Sequence, residues 1–255
     1  MHLGDHLFFI PCIISLIHQG FDITVFPIPS MRSLFQALGI HTIIEKPLLS
    51  DFDLIISRTE FLSTLAKQKS ILINITKNLT MPIADEIRRN ITKLLCDTTK
   101  IQPFSLKLDT NNAHHALTPS KKYLVFNCYV NSGFYMITKK KVKTLINFAH
   151  AYALENKCDI IFIGSNNDKL KDKNHYPFSF VDLRGKTNIM DVFSLASLEN
   201  VICYIGFDSF PMHVFSLLHK KSTVLFRGRI FQKQADLIKK YHINLFSGDC
   251  FVTLL

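Results

Sequence analysis

Residues 201–213 read VICYIGFDSFPMH. The first five are apolar, with β-branched and aromatic side chains, and predict a buried strand. Ser209 favours the N-cap of a helix, and Pro211 is tolerated in a first helical turn, where its missing N–H would have no partner. The stretch therefore predicts a strand, a sharp connection and a helix, the unit from which parallel α/β sheets are built.

The same alternation runs through the second half of the chain. Strands are predicted at residues 123–128, 159–163, 178–183, 201–205 and 223–226, and helices at 142–154, 189–198 and 211–218. The helices rest on apolar residues at helical spacing, whereas the strands are short apolar runs bounded by turn residues. Strands that alternate with helices predict a parallel sheet across residues 121–229.

The first half shows this pattern more weakly. Strands are predicted at residues 22–26, 54–57 and 71–75, and helices at 30–38 and 83–95. Residues 98–120 between the halves are polar and contain Pro103 and Pro119, which is typical of a linker. We therefore expect an α/β protein with two Rossmann-like domains.

The charge of the chain suggests its class of partner. Lys and Arg outnumber Asp and Glu by 30 to 20, for a formal charge of +10. This excess indicates nucleic acid, an acidic membrane surface or a phosphorylated substrate, although a solvated basic surface accounts for it equally. Because the basic residues fall in short groups such as residues 139–141, with no arginine-rich arm, nucleic acid is the least favoured partner.

Cysteine and histidine usage argues against a metal site. The six cysteines are widely spaced and form no CxxC pair, which predicts buried free thiols in a reducing compartment. The eleven histidines show no HExxH or comparable spacing. No metal ligands are therefore predicted.

The apolar run at residues 7–17 is too short to cross a membrane, which takes roughly 20 residues. Asp5 and His6 precede it, whereas a signal peptide begins with basic residues. We therefore expect a cytoplasmic protein. A peripheral contact with the inner face of an anionic membrane stays open.

The predicted connection after the strand at 201–205 is a candidate anion site. A helix that begins at the carboxyl end of a parallel strand directs its free N–H groups and positive dipole end toward the sheet crevice. Asp208 and Ser209 lie at this point, and His213, one turn later, would add a donor. An ordinary capped helix with a packed histidine fits the same residues.

Several of these stretches resemble glycosyltransferase family 9, the ADP-heptose:lipopolysaccharide heptosyltransferases. Residues 182–189 read DLRGKTNI, residues 208–213 read DSFPMH and residues 222–226 read STVLF. The family has a GKTSL turn, then DSGPMH, then PTVxLFG in the same order. Near the N-terminus, residues 3–7 read LGDHL, with Pro11 following, and resemble the family element LGDxLxxxP.

The resemblance implies a GT-B fold, in which two Rossmann-like domains face a cleft. Residues 1–110 would form a shortened acceptor-side domain, and residues 121–255 the domain that binds the nucleotide sugar. The implied activity is that of a metal-independent, inverting glycosyltransferase without a cofactor. Its donor would be a nucleotide-diphosphate sugar, typically ADP-heptose, and its acceptor a glycan or lipid-linked glycan of the lipopolysaccharide type. Nucleic acid is not an expected partner.

The resemblance also implies roles for six residues. Asp5 would be the catalytic base that takes the proton of the acceptor hydroxyl, although a cap at the start of a helix explains an aspartate there as well. Lys186 and Thr187 match a turn that contacts the donor. The helix N-terminus around Ser209, together with His213, would stabilise the leaving diphosphate by preorganised electrostatics, and Asp208 would be a further donor-binding residue.

The sequence departs from the family pattern at several points. Only Met1 and His2 precede Leu3, so either the protein starts earlier or the first sheet lacks its central strand. Phe210 replaces the glycine of DSGPMH, and the lysine expected after the first donor-half strand has no clear match. Arg227 or Arg229 would restore a cation where the family has FGPT.

Three hypotheses therefore remain open. The first is a divergent glycosyltransferase, and the second is a degenerate, non-catalytic relative that serves as a binding or assembly partner. The third is a basic Rossmann-type enzyme acting on nucleic acid, such as a methyltransferase. The absence of a GxGxxG turn after a first strand weakens the third.

Overall fold

The structure, a computed structural model, describes residues 7, 9–45, 55–57, 70–72, 117–129, 137–225 and 252–254. Asp5, the predicted helix at 83–95, most of the predicted linker and the pair Arg227 and Arg229 lie outside the described residues. The chain divides into two compact units, Met1–Phe104 with Lys240–Ser247, and Ser105–Lys239 with Gly248–Leu255.

The described part of the first unit contains short helices and strands, of which the helix at 10–18 and the strand at 41–42 were not predicted and the others lie at predicted positions. They are α1 (Ile10–His18), β1 (Thr24–Val25), a 3₁₀ turn (Pro29–Met31) leading into α2 (Arg32–Ala37), β2 (His41–Thr42), β3 (Ile55–Ser57) and β4 (Ser70–Leu72). β1 pairs with β2 and β3 pairs with β4, both in parallel. Parallel pairing of successive strands is the arrangement that the alternating pattern predicts.

The second unit is built on a six-stranded sheet. Its strands are β5 (Lys122–Asn127), β6 (Cys158–Phe162), β7 (Phe180–Asp182), β8 (Val201–Phe207), β9 (Lys221–Leu225) and β10 (Val252–Leu254). They lie in the order β10-β9-β8-β5-β6-β7, and every pairing is parallel. The predicted α/β fold with a parallel sheet is confirmed.

Helices cover both faces of this sheet. They are α3 (Lys139–Asn156), α4 (Asn166–Lys171), α5 (Ile189–Ser197) and α6 (Phe210–Leu217). Alternate residues of β8 separate the faces, because Cys203, Ile205 and Phe207 join the core under α3, whereas the ring of Tyr204 packs 5.5 Å from Phe215 of α6. The unit is therefore a three-layer α/β sandwich.

Capping decides where the helices begin. Helix α3 starts three residues before the predicted position because Thr138 accepts a hydrogen bond from the Lys141 backbone N–H. Helix α4 was not predicted, since five of its six residues are polar and it carries no apolar period. It forms through a capping box in which the side chains of Ser165 and Asp168 each bind the other's backbone N–H.

Four cysteines, Cys12, Cys128, Cys158 and Cys203, are buried free thiols, as predicted; the other two lie outside the described residues. Burial raises the pKa of Cys128 and of Cys203 to about 12, so both stay protonated at neutral pH. Within the described residues, no helix is both long enough and apolar enough to cross a membrane.

Candidate functional site

The candidate site lies at the carboxyl edge of the six-stranded sheet, where the strand order reverses. From β5 the chain proceeds outward to β6 and β7, and from β8 it proceeds in the other direction to β9 and β10. β5 and β8 are neighbours, with Asn127 paired to Gly206 at their carboxyl ends. Open α/β sheets bind ligands at such a switch point.

The connection from β8 to α6 carries three of the predicted site residues. Asp208 and Ser209 lie between the strand and the helix, and His213 follows one turn into α6. All three are half-buried. The structure therefore brings these residues together on one short connection at the switch point.

Ser209 occupies the N-cap position of α6, but the prediction that its side chain caps the helix is wrong. Its hydroxyl lies 3.1 Å from the Tyr204 hydroxyl, which donates its own proton to the Phe207 carbonyl at 3.1 Å. The hydroxyl of Ser209 is therefore the donor to Tyr204, and its side chain makes no cap hydrogen bond to α6.

Helix α6 differs in this respect from its neighbours. Thr138, Ser165 and Asn188 each accept a hydrogen bond from a first-turn N–H of α3, α4 and α5, respectively. Ser209, the N-cap residue of α6, accepts no such bond. Because the first N–H groups of a helix have no intrahelical partner, the α6 terminus is suited to bind an external anion.

The Tyr204 ring reaches this connection because residue 206 is glycine. A Cβ atom at Gly206 would overlap the Tyr204 side chain and lie 2.5 Å from the Asn127 carbonyl oxygen. Tyr204 is fully buried, and its ring occupies the space that a side chain at residue 206 would need. Gly206 therefore fixes both the course of β8 and the partner of Ser209.

Phe210, which replaces the glycine of the family pattern, begins α6. Its half-buried ring meets Phe193 of α5 edge-on, with the ring centroids 6.4 Å apart. Phe193 itself is fully buried. The bulky side chain is thus accommodated by a contact with α5.

Lys186 and Thr187 lie on a different connection, between β7 and α5. Two strands, β5 and β6, separate β7 from β8, so the ends of β7 and β8 are about 14 Å apart at the usual strand spacing. Lys186 is exposed, and the Thr187 hydroxyl donates to the Leu183 carbonyl at 3.5 Å. These two residues therefore lie on a connection whose strand is separated from β8 by two other strands.

The turn before Lys186 is docked on the β6–α4 connection. The Gly185 N–H donates to the Gly164 carbonyl at 2.8 Å. Gly185 has a φ of +73°, and a Cβ atom there would lie 2.9 Å from the Asn166 side chain. A left-handed conformation and close packing together require glycine at this position.

Arg184, the residue before Gly185 in this turn, is the centre of a buried ion cluster that the sequence did not predict. Its guanidinium binds both carboxylate oxygens of Asp182, at 2.9 and 3.1 Å, and one of Asp172, at 2.5 Å. It also lies 4.0 Å from the centroid of the Phe162 ring. Only 6% of the Arg184 side chain is exposed, so its ion pairs and ring contact replace water.

The ion cluster shifts the pKa values of both aspartates downward. Hydrogen bonds from Arg184 lower the pKa of Asp182 to about 2, against an opposing effect of burial. Burial pushes the pKa of Asp172 upward, but hydrogen bonds from Tyr129, Asn174, Arg184 and Tyr176 outweigh it. Both side chains therefore stay ionised, and Arg184 stays charged between them.

One sequence signal pointed to this cluster, since Arg184 stands within the DLRGKTNI motif. Its partner Asp172 lies twelve residues earlier, at the C-terminal end of the unpredicted helix α4.

Asp5 lies outside the described residues. Among the described residues, no three His, Cys, Asp or Glu side chains are grouped as metal ligands.

No family model and no curated protein sequence matches the chain. Solved structures, however, share its fold. A glycosyl transferase family 9 protein from Veillonella parvula matches with a TM-score of 0.71 and 15% identity, over 100% of this chain and 84% of that one. The E. coli ADP-heptose LPS heptosyltransferase II matches with a TM-score of 0.63 and 11% identity, over 100% and 88%.

A third solved structure is that of TibC, an iron-containing, dodecameric heptosyltransferase of enterotoxigenic E. coli, in complex with ADP-D-β-D-heptose. It matches with a TM-score of 0.56 and 11% identity, over 89% of this chain and 56% of that one. At such identities the likeness establishes the fold. It confirms, at that level, the resemblance drawn from the residues.

Gly206→Ala is expected to destabilise the protein strongly, because the new Cβ would overlap backbone and a buried ring. We expect a loss of about 3 kcal/mol in the free energy of unfolding, measured by urea titration. Gly20→Ala is the control, since Gly20 has a φ of +88° but nothing within 4 Å, and about 1 kcal/mol is expected there. Equal losses would contradict the close approach.

Asp182→Asn is expected to make stability less sensitive to acid. Because the pKa of Asp182 is lowered from 3.8 to about 2, its contribution is present above pH 4 and is lost as the pH falls toward 2. That contribution is about 2 kcal/mol, so the variant should be weaker by this amount at neutral pH and approach wild type near pH 2. Unfolding titrations across this range measure the difference.

Asp159→Asn is the control for this measurement. Asp159 pairs with Lys121 at 2.7 Å, but both side chains are about half exposed, so the loss should be much smaller than that in Asp182→Asn. A pH-independent difference between wild type and Asp182→Asn would show that the ion pair is not its cause.

Proposed function

We propose that the protein is a glycosyltransferase that binds a nucleotide-diphosphate sugar at the carboxyl edge of its six-stranded sheet. The observation that carries the proposal is a fold match over the whole chain to solved glycosyltransferases, in a protein whose switch-point helix begins at an N-cap serine that makes no cap hydrogen bond. The motifs at residues 182–189 and 208–213 lie on two connections at that same edge.

The diphosphate would bind at the start of α6. The first-turn N–H groups and the positive end of the helix dipole favour negative charge there, and His213 adds a side-chain donor. Charge that develops on the leaving diphosphate would be stabilised by these fixed dipoles, which need no reorganisation during the reaction. Asp208 and Ser209 would shape the approach to this terminus.

Lys186 and Thr187 would hold another part of the donor. Their connection ends about 14 Å from β8, a separation that a ligand composed of a nucleoside, a diphosphate and a sugar can bridge. The ion pairs of Arg184 with Asp172 and Asp182 hold this turn in place. The exposed Lys186 therefore extends from a fixed stretch of backbone.

The finer assignment is an inverting transfer of heptose from ADP-heptose to a lipopolysaccharide-type or other glycan acceptor, in the cytoplasm. Support comes from the solved structures of similar fold, two of which are named for ADP-heptose. Asp5 would take the proton of the acceptor hydroxyl as this oxygen attacks the anomeric carbon. The N–H groups and dipole of α6, rather than a metal, would stabilise the leaving group, although TibC contains iron.

Phe210 favours a second candidate, a non-catalytic relative that binds a partner without transferring sugar. A phenylalanine at the start of α6 places a ring where the family pattern has only backbone. The contact of this ring with Phe193 still favours the glycosyltransferase, because α5 holds the ring. The two candidates separate on whether the wild-type protein transfers sugar.

His213→Ala is expected to weaken binding of ADP-heptose about 10- to 100-fold, since a hydrogen bond to a charged group is worth about 1.5–3 kcal/mol. Isothermal titration calorimetry measures the change. His219→Asn is the matched control, because His219 is exposed at the other end of α6 and Asn tolerates its left-handed φ of +56°. Equal affinity in wild type and His213→Ala would remove His213 from the donor site.

Asp5→Asn is expected to retain donor binding and to lower turnover by about 10²–10⁴-fold, the usual contribution of a positioned general base. Transfer from ADP-heptose to an acceptor glycan is measured with and without a chelator, and melting temperatures are taken alongside. If Asp5 only caps a helix, turnover should be nearly normal, with a stability loss of about 1 kcal/mol. No transfer by wild type would favour the non-catalytic candidate, and loss of transfer with the chelator would refute metal independence.

A further inference from the structure

Asp172, at the C-terminal end of α4, is a buried carboxylate that accepts hydrogen bonds from several neighbours. One of its oxygens accepts from the backbone N–H and from the side-chain amide of Asn174, at 3.0 and 2.9 Å. The other accepts from the Arg184 guanidinium at 2.5 Å and from the Tyr176 hydroxyl at 2.9 Å. Because only 8% of the side chain is exposed, water competes little for these bonds, and the carboxylate is held in one orientation.

Arg184 does not require Asp172 to neutralise its charge. Asp182 already binds the guanidinium with both carboxylate oxygens, at 2.9 and 3.1 Å. That pair is local, because Asp182 ends β7 and stands two residues before Arg184. Asp172 instead comes from the end of α4, and burying a second carboxylate adds a desolvation cost that limits any gain in net stability. What the second ion pair adds is an attachment of the turn to another segment of the chain.

The attachment continues from Asp172 to the end of β5. The Tyr176 hydroxyl lies 3.4 Å from the Tyr129 hydroxyl, and the side-chain amide of Asn174 donates to the same Tyr129 oxygen at 3.2 Å. Tyr129 stands two residues after β5, which is one of the two strands that meet at the switch point. Hydrogen bonds thus connect the turn after β7, through Asp172, with the strand next to β8.

The turn that Asp172 attaches in this way carries Lys186. The Gly185 N–H donates to the Gly164 carbonyl at 2.8 Å, so Arg184 and Gly185 fasten the turn at two successive residues. The Lys186 side chain is exposed, and packing therefore does little to place it. The position of its ammonium group depends instead on the backbone from which it extends.

We propose that Asp172 is a positioning residue for the nucleotide-sugar donor, because it holds the Lys186 turn, through Arg184, at a set place relative to the switch point. A cation that is held in place before binding loses less conformational freedom when the anionic donor arrives. Asp172 acts through Arg184 and makes no contact of its own with the donor. The inference rests on the proposed function, since it takes Lys186 as a donor contact.

The first measurement needs no donor. Asp172→Asn preserves the size of the side chain and removes the charge that pairs with Arg184. Exchange of the Gly185 and Lys186 N–H groups is expected to become at least about tenfold faster, because the turn opens more readily without the charged hydrogen bond. Hydrogen–deuterium exchange, followed by NMR at the individual amides, measures the change.

The second measurement is the affinity for ADP-heptose in a double-mutant cycle, by isothermal titration calorimetry. Lys186→Gln is expected to weaken binding about tenfold in the wild-type background. Asp172→Asn should weaken binding about fivefold, because Lys186 is no longer held in place. In the Asp172→Asn background, Lys186→Gln should cost only about twofold, since the effects of residues that act through one another do not add.

Lys220→Met is the control for a general loss of stability. The Lys220 ammonium group donates to the carbonyls of Leu198 and Val201, at 2.8 and 3.2 Å, on the opposite edge of the sheet. The variant deprives both carbonyls of this donor, so its melting temperature should fall. Exchange at Gly185 and Lys186 and the affinity for ADP-heptose should both stay within about twofold of wild type.

The outcomes separate this inference from the proposed function. Unchanged exchange in Asp172→Asn, or equal acceleration in Lys220→Met, would show that Asp172 does not hold the turn, and the proposed function would stand. An equal cost of Lys186→Gln in both backgrounds would also overturn the positioning role alone, as long as His213→Ala weakens binding as expected. Failure of the wild type to bind ADP-heptose would refute the proposed donor and, with it, the positioning role.

Discussion

The Tyr204 hydroxyl lies where β8 leaves the sheet, and the chemistry of the candidate site follows from its position. It donates to the Phe207 carbonyl, so it can only accept from Ser209. The Ser209 side chain is directed toward Tyr204 and makes no cap hydrogen bond, so it leaves the first N–H groups of α6 to face the switch point. The whole arrangement requires that residue 206 have no side chain, because the Tyr204 ring fills that space.

A second constraint acts on the connection after β7. Arg184 is held between two carboxylates and the Phe162 ring, and the Gly185 N–H ties the next residue to the Gly164 carbonyl. Buried ion pairs contribute little net stability compared with apolar residues of the same volume, because desolvation opposes the attraction. Their consequence here is geometric, since a bidentate pair and a left-handed glycine leave the turn before Lys186 few alternatives.

The sequence predicted those strands and helices that bury apolar residues at regular intervals. Strands β5, β6 and β8 and helix α3 bury apolar residues at regular spacing, and the structure has them within three residues of the predicted bounds. Helix α4 was missed because a capping box, rather than an apolar face, determines its start. Of the site, the β8–α6 connection was located correctly, whereas the partner of Ser209 was not. A tyrosine five residues earlier competes for that hydroxyl only once the strand is built. The pairing of Arg184 with Asp172 likewise depends on tertiary contacts that no local pattern encodes.

The exchange of glycine for Phe210 illustrates how this fold can persist at 11–15% identity to solved glycosyltransferases. An anion at a helix terminus is bound by backbone N–H groups and by the dipole, neither of which depends on the side chain at that position. A side chain at that position could block the anion, and whether it does so depends on where the side chain packs. Phe210 packs against Phe193 of α5, so its ring is held by that helix. The course of β8 at this connection is set instead by Gly206 and Tyr204 inside the sheet.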